Sequence, residues 1–327
     1  MNAASVWRDN SEAAMIEKLA FCLITCLLIG ASPAQKRAES TSPEQRYTLS
    51  VDVDLVVFNV TVTDKNRRPV SGLKADNFRV VEDDVEQEIR TVRAEDVPVT
   101  VGLVMDNSGS MAARRQDVIS AAIEFVSSSN PQDEIFIVNF NDYVAVPLFG
   151  QSAFTSDYDE LRNALLRTAA VGKTALYDGL AVALKRLDAG SHLRKALVVF
   201  SDGGDNASAR TLDQVTAQAA ASSATVFTIG MYDASDPDQN PKVLRELSKL
   251  TGGEFYRPTT SAELHSVWKK IAGGIRSQYT IGYVSSNTRR DGAFRKVRIT
   301  AVDRNRKSLQ VETRAGYLGP AAAPVVR

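Results

Sequence analysis

From Val99 to about Ile275, short apolar runs alternate with stretches of helical periodicity, and this alternation constrains the fold more than any other property of the chain. The runs are VTVGLVM (99–105), EIFIVNF (134–140), VAVPLF (144–149), ALVVF (196–200), ATVFTIGM (224–231) and GEFYR (253–257). Helical patterns fill the gaps at 114–129, 157–169, 175–187, 212–222 and 241–250, and a last one runs from Ser261 to about Ile275. Strands that are apolar at nearly every position are buried on both faces. Strand–helix alternation supplies the two covering layers and makes the sheet mostly parallel. The expectation is a doubly wound α/β domain over 97–276. Such a sheet collects its ligand outside the carboxyl ends of its strands, where the winding direction reverses. Two helix starts carry their own signals: Thr211 with Gln214, and Thr260 with Glu263, are spaced as capping boxes.

The flanking segments follow a different pattern. YTLSVDVDLVVFNVTV (47–62) alternates at period two, DKNRRP (64–69) reads as a turn, and Phe78 to Glu82 and Ile89 to Arg93 are short strands. Beyond the α/β segment, QYTIGYV (278–284), FRKVRITAV (294–302), 309–314 and Gly316-Tyr317 are β-like again. Neither flank is large enough to bury a core alone. The β regions at 46–96 and 277–318 are therefore expected to pair into one sandwich, with 319–327 as a disordered tail.

Leu19 to Ala31 (LAFCLITCLLIGA) is apolar, too short to span a membrane comfortably, preceded by Lys18 and followed by Ser32-Pro33-Ala34. This is the pattern of a secretory signal, 1–34, cleaved after Ala34, with Met15 as an alternative start and an uncleaved anchor as the alternative fate. A flexible linker at 35–45 follows. The expected location is secreted or periplasmic, in the cell envelope, without an integral span once the signal is removed. Cys22 and Cys26 both lie inside the signal, and only His192 and His265 supply imidazoles, in different elements, which excludes zinc chemistry built on His and Cys. Lysine plus arginine total 39 and aspartate plus glutamate total 39, so no net positive charge points to nucleic acid.

The strand at 99–105 runs straight into Asp106-Asn107-Ser108-Gly109-Ser110. The ALVVF strand ends in Ser201-Asp202-Gly203-Gly204-Asp205, and Gly172-Lys173-Thr174 opens the helix at Ala175. At the carboxyl edge of the expected sheet, Asp106, Ser108, Ser110, Thr174 and Asp202 offer two carboxylates and three hydroxyls, without nitrogen or sulfur. That set suits a hard divalent cation, Mg²⁺ first and Ca²⁺ or Mn²⁺ next. The alternating spacing turns Asp106, Ser108 and Ser110 to one side of a tight loop, with Gly109 permitting the bend.

These five residues, in this order and on these elements, resemble the metal-ion-dependent adhesion site of von Willebrand factor A-type domains. The flanks VTVTDKNRRPVSGLKADNFRVVED, QYTIGYV and RAGYLG are similar to those of an acidobacterial group of secreted proteins related to that family. The resemblance implies that Ser108 and Ser110 are direct metal ligands, that Thr174 is a conformation-dependent one, and that Asp106 and Asp202 act largely through bound water. It implies further that the under-neutralised cation takes a carboxylate from a partner protein, so that the domain serves adhesion or protein binding.

Other motifs weigh less. Gly172-Lys173-Thr174 lacks the glycine a phosphate loop needs five positions earlier, where Arg167 stands, and it follows a helix instead of a strand. Asp52-Val53-Asp54 reads as exposed aspartates on an alternating strand, His265 as a surface or boundary residue, and Phe255, Tyr256 and Trp268 as core. The tract from Lys185 to Lys195 suggests no function. A metal-assisted hydrolase needs a positioned base; Asp178 and Asp205 are the nearby candidates, and Asp205 reads more simply as a loop residue holding the glycines. The expected function is binding and not catalysis. A hydrolase, or an envelope module that its metal merely stiffens, are the alternatives.

Overall fold

The computed structural model describes residues 55–94, 97–148, 154–232 and 237–321. The signal, the linker, the beginning of the first strand with Asp52-Val53-Asp54, and the chain beyond Ala321 lie outside the described residues.

Four strands precede the α/β domain: β1 (Leu55–Thr63), β2 (Phe78–Glu82), β3 (Val85–Gln87) and β4 (Ile89–Arg93). The α/β domain contributes β5 (Thr100–Asp106), α1 (Arg115–Ser127), β6 (Glu134–Phe140), β7 (Val144–Ala145), α2 (Tyr158–Leu166) and α3 (Leu176–Asp188). It continues through β8 (Lys195–Ser201), α4 (Leu212–Ala221), β9 (Thr225–Gly230), α5 (Pro241–Thr251), β10 (Phe255–Tyr256) and α6 (Ser261–Ser277). Four strands follow: β11 (Tyr279–Val284), β12 (Phe294–Ala301), β13 (Gln310–Glu312) and β14 (Gly316–Leu318).

The central sheet has the order β10-β9-β8-β5-β6-β7. All neighbours are parallel except β7, which pairs antiparallel to β6 at the edge. Every residue of β5 is buried, as uniform apolarity requires of a central strand covered on both sides. The helices form two layers, with α1 against α2 and α6, and α4 against α3 and α5. Trp268 of α6 fills the space between α1 and the sheet, its ring 4.9 Å from Phe125 and 4.7 Å from Phe200. Winding runs from β5 toward β6, then returns across β5 to β8 and on toward β9. The direction therefore reverses between β5 and β8, and their carboxyl ends form the crevice where such sheets bind ligands.

The edges depart from expectation. Among the described residues of VAVPLF only Val144 and Ala145 are strand, because Pro147 has no amide proton to extend a ladder. The strand expected at 253–257 shrinks to two half-buried residues, Phe255 and Tyr256. Thr211 and Gln214 form a reciprocal capping box. Thr260 caps α6 through the Glu263 amide, but the Glu263 carboxylate turns to the amide and hydroxyl of Thr259 at 2.7 and 2.9 Å.

The flanking strands interleave into two four-stranded antiparallel sheets, β13-β1-β11-β4 and β14-β12-β2-β3. They close on one apolar cluster that includes Phe58, Val60, Val80, Tyr279, Ile281 and Ile299. Strand β12 shows the one-faced burial of a sandwich strand, exposed and buried by turns. The β2–β3 hairpin is absent from the sequence expectation; its turn residues Asp83 and Asp84 both have positive φ, 45° and 66°, the geometry of a type I′ turn. At the start of the segment expected as a disordered tail, the Pro320 carbonyl accepts from Gly292 at 3.1 Å and the Gly319 amide bonds to Ala293 at 2.9 Å, while 322–327 lie outside the described residues. Arg194, in the tract that suggested no function, is 1% exposed. It donates to the carbonyls of Ile275, Arg276 and Gln278 at 3.2, 3.1 and 2.7 Å, satisfying the last turn of α6 where the chain enters the sandwich.

Candidate metal centre

Three loops meet at the reversal point. Beyond β5, the Asp106 carboxylate accepts from the Ser108 amide at 2.9 Å, and a single 3-10 turn over Gly109–Met111 carries the chain to α1. The Gly109 amide bonds to the Gly172 carbonyl at 3.0 Å, and the Val171 amide bonds to the Asn107 carbonyl at 2.9 Å, stitching the first loop to the second. The second loop is tied to the third through Thr174: its amide donates to Asn206 Oδ1 at 2.9 Å, and its carbonyl accepts from the amides of Asn206 and Ala207. Gly172 is required where it stands, at φ +85°, since a Cβ there would fall 1.7 Å from Asp142 Oδ2. Gly109, expected to permit the bend, is not in the left-handed region, and a Cβ there would sit 3.4 Å from the Gly172 carbonyl. The 3-10 turn makes that bend with ordinary torsions.

Four of the five expected residues line one open cleft of about 520 Å³: Ser108, Ser110, Thr174 and Asp202, joined by Asn206 and Asp238. Ser108 Oγ lies 3.1 Å from Ser110 Oγ, and Ser110 Oγ donates to Asp202 Oδ2 at 2.7 Å. Asp106, expected on one side of the loop with the two serines, is not among the residues that line the cleft. It lies behind them, taking the Ser201 hydroxyl at 2.6 Å on one oxygen and the Ser108 amide on the other. Alternation holds within a strand, and the chain leaves β5 at Asp106. Burial pushes the Asp106 carboxyl up to about 7, with the neighbouring Asp202 charge adding to the rise and hydrogen bonds from Ser108 and Ser201 opposing it.

The donors fit a hard cation. They are all oxygen, mostly neutral, gathered from three separate loops that main-chain bonds hold together before any ion arrives. Among the described residues no group of three or more His, Cys, Asp and Glu side chains offers a rival site.

Asp178 and Asp205, the candidate bases, are occupied otherwise. Asp205 does not hold the glycines: its Oδ2 accepts from the Tyr177 amide at 2.9 Å and the Ser208 hydroxyl at 2.6 Å, capping the start of α3. Asp178 accepts from the Ala209 amide and from Arg210, and this backbone bond and cation hold its carboxyl below the usual range against partial burial. His265 meets Glu124 on the α1–α6 surface, far along the helix from the cleft.

Sequence reasoning missed Ser201, which holds Asp106, and Asn206, which fixes Thr174. Ser201 opens the Ser201–Asp205 stretch and Asn206 directly follows it, but neither carried a signal of its own. It also missed the buried amide pair below the loops, where Asn107 donates to Asn139 at 3.1 Å and Asn139 to Thr168 at 2.7 Å.

Residues 101–204 match the family model of the von Willebrand factor type A domain. Among solved structures, the chain is similar to a von Willebrand factor type A protein from Catenulispora acidiphila, with 15% identity, 82% of this chain and 74% of that one covered, and a TM-score of 0.49. It is also similar to the vWF domain of the type V pili tip protein Mfa5 from Porphyromonas gingivalis, with 18% identity, 56% and 96% covered, and a TM-score of 0.47. A third is proximal thread matrix protein 1 from the mussel byssus, solved with a zinc-occupied MIDAS motif, with 14% identity, 58% and 48% covered, and a TM-score of 0.48. No curated protein sequence matches the chain. Residues 101–204 thus match the von Willebrand factor type A domain, a family of adhesion and protein-interaction modules of which some hold a metal at such a site.

Proposed function

We propose that this is a protein-binding module of the periplasm or cell exterior that takes an acidic side chain of a partner protein through a divalent cation. One observation carries the reading: Ser108, Ser110, Thr174 and Asp202 converge on a single open cleft from three separate loops. Ser108, Ser110 and Thr174 would hold the ion through their hydroxyls, with Asp202 beside them and Asp106 behind. A bound Mg²⁺, or Ca²⁺ or Mn²⁺ in its place, supplies positive charge and an open coordination position for a partner oxygen. The chain's own residues do the rest. Asp106 orients the Ser108 amide, Asp202 orients the Ser110 hydroxyl, and Asn206 fixes the backbone of Thr174. With neutral hydroxyls predominating at the front, the protein leaves charge for a partner's carboxylate to neutralise. The envelope location rests on the apolar run at 19–31; among the described residues no helix is long and apolar enough to cross a membrane.

Calorimetric melting of chelated protein during Mg²⁺ addition tests the seat. Saturation at 100-fold over Kd raises stability by about 2.7 kcal/mol. Ser108→Ala/Ser110→Ala removes both that rise and the Mg²⁺-dependent capture of a partner from envelope extract. A midpoint indifferent to Mg²⁺, Mn²⁺ and Ca²⁺ alike overturns the proposal.

A further inference from the structure

A fourth segment reaches the cleft. Pro237 and Asp238, in the connection from β9 to α5, line it beside Asp202 and Asn206. This segment is held from two sides. On one, α5 begins at Pro241 and is fastened to β9, where the Thr228 hydroxyl donates to the Leu244 carbonyl at 3.0 Å. On the other, the Asn240 amide donates to the Asp202 carbonyl at 2.9 Å. The two glycines after Asp202 make room for the approach: a Cβ on Gly203 would fall 2.2 Å from the Asn240 carbonyl oxygen, and one on Gly204 2.8 Å from that of Asp238.

The Asp238 side chain then completes a run of hydrogen bonds into the seat. Its Oδ2 accepts from Asn206 Nδ2 at 3.0 Å, and Asn206 Oδ1 accepts from the Thr174 amide at 2.9 Å. A primary amide can lie either way round, and only its oxygen can accept from a backbone amide. A carboxylate accepts and does not donate, so Asp238 draws the nitrogen to itself and leaves the oxygen for Thr174.

Resting on the reading that Thr174 shares a cation seat with Ser108 and Ser110, we infer that Asp238 is a positioning residue of that seat, acting through Asn206. The segment ahead of α5 is then the fourth loop of the centre, and the paired glycines are there to admit it. Outer partners that orient a ligand in this way govern metal affinity without touching the metal.

The test begins without metal. In chelator, amide hydrogen exchange followed by NMR on the full chain compares the parent with Asp238→Ala and Asp238→Asn. Asp238 and Asn206 are both exposed, so truncating either leaves the core intact, and melting midpoints verify it. The Thr174 amide is expected to exchange about five-fold faster in Asp238→Ala, the scale of one net hydrogen bond. The Tyr177 amide, held by Asp205, keeps its rate. Asp238→Asn, which can still accept, recovers part of the protection. Calorimetric titration should then show Mg²⁺ affinity about five-fold lower in Asp238→Ala, and Asn206→Ala/Asp238→Ala should bind no more weakly than Asn206→Ala alone. A Thr174 amide as well protected in Asp238→Ala as in the parent overturns the inference and leaves the seat untouched. So does equal acceleration at Tyr177, which would mean general loosening. So does a further loss of Mg²⁺ affinity when Asp238→Ala is added to Asn206→Ala, which would make Asp238 a charge facing the ion. If Mg²⁺, Mn²⁺ and Ca²⁺ bind to no form of the chain, the seat reading falls, and the exchange rates alone decide whether Asp238 positions Thr174.

Discussion

Glu82 in the sandwich and Asp106 in the α/β domain are both carboxylates within a few percent of complete enclosure, 2% and 5% exposed, and both are surrounded by hydroxyls. Their surroundings differ in one respect. Glu82 accepts from the hydroxyls of Tyr283 at 2.8 Å, Tyr317 at 3.0 Å and Ser285, and the buried Arg295 guanidinium stands 3.6 Å away. The sandwich thus carries its own cation, and the cluster is closed. Burial and the Glu82 charge drive the Tyr283 hydroxyl far up, which keeps it a neutral donor. Asp106 instead has the Ser201 hydroxyl and the Ser108 amide, with the Asp202 charge nearby raising the cost of its own. That cluster adjoins an open cleft. Where a fold supplies the counter-charge itself, a buried carboxylate is structural; where it borders solvent beside a second carboxylate, a cation from outside is the natural complement.

The two regions also differ in how their cores are assembled, and this gives the largest expected effect. The α/β core lies between Val99 and Ile275, whereas the sandwich core draws Phe58 and Val80 from before that segment and Tyr279 and Ile299 from after it. Ending the chain after Ser277 strips β1 of both antiparallel partners and β2 of β12. Limited proteolysis should then cut freely within 55–94 while the α/β segment keeps a cooperative melt. Full protection of 55–94 in that truncated chain would break the contrast.

Next in size is Glu82→Gln. Removing the charge leaves Arg295 enclosed without its counter-ion, and breaking such a buried pair costs about 3–5 kcal/mol. Ser108→Ala/Ser110→Ala in chelator should cost far less, since both hydroxyls border the cleft and water can replace what they lose. Denaturant unfolding of the two variants side by side measures this; equal losses would mean that the candidate metal centre is as much a structural cluster as the sandwich one.

How far each region was legible in the sequence follows from the range of the interactions that fix it. Strands β5, β6 and β8 were readable because central parallel strands are apolar throughout. The serines and aspartates of the site were readable because they sit at or just after the ends of β5 and β8, which a doubly wound sheet must bring together, and Thr174 because it stands just ahead of α3. The side chains that set their orientation were not. Ser201 reaches Asp106 across 95 residues of sequence and Asn206 reaches Thr174 across 32, and nothing local distinguishes either from an ordinary loop residue. Arg194 was opaque for the same reason: its acceptors are carbonyls 81 to 84 residues away. The Asp83-Asp84 turn was missed for a different one, because aspartate fits many turns and only the positive φ at both positions marks this hairpin.

The smallest expected effect has the sharpest sign. Asp106→Asn makes the same carboxylate-to-amide change as Glu82→Gln, at the site whose carboxylate is met by a hydroxyl and a backbone amide. The amide oxygen can still accept from Ser108 or Ser201, while the buried charge and its repulsion with Asp202 disappear. In chelator at pH 8, the variant should be more stable than the parent chain by about 1–2 kcal/mol, the scale of relieving a poorly compensated buried charge. Added Mg²⁺ should reverse the order, because the parent chain gains from the ion and the variant, having lost an anion behind the seat, gains less. Melting curves with and without Mg²⁺ would therefore cross at the Asp106 site and run in parallel at the Glu82 site. If Asp106→Asn instead destabilises the chelated protein as Glu82→Gln does, the two carboxylates serve the same structural purpose, and the open one has no claim to be held in readiness for an ion.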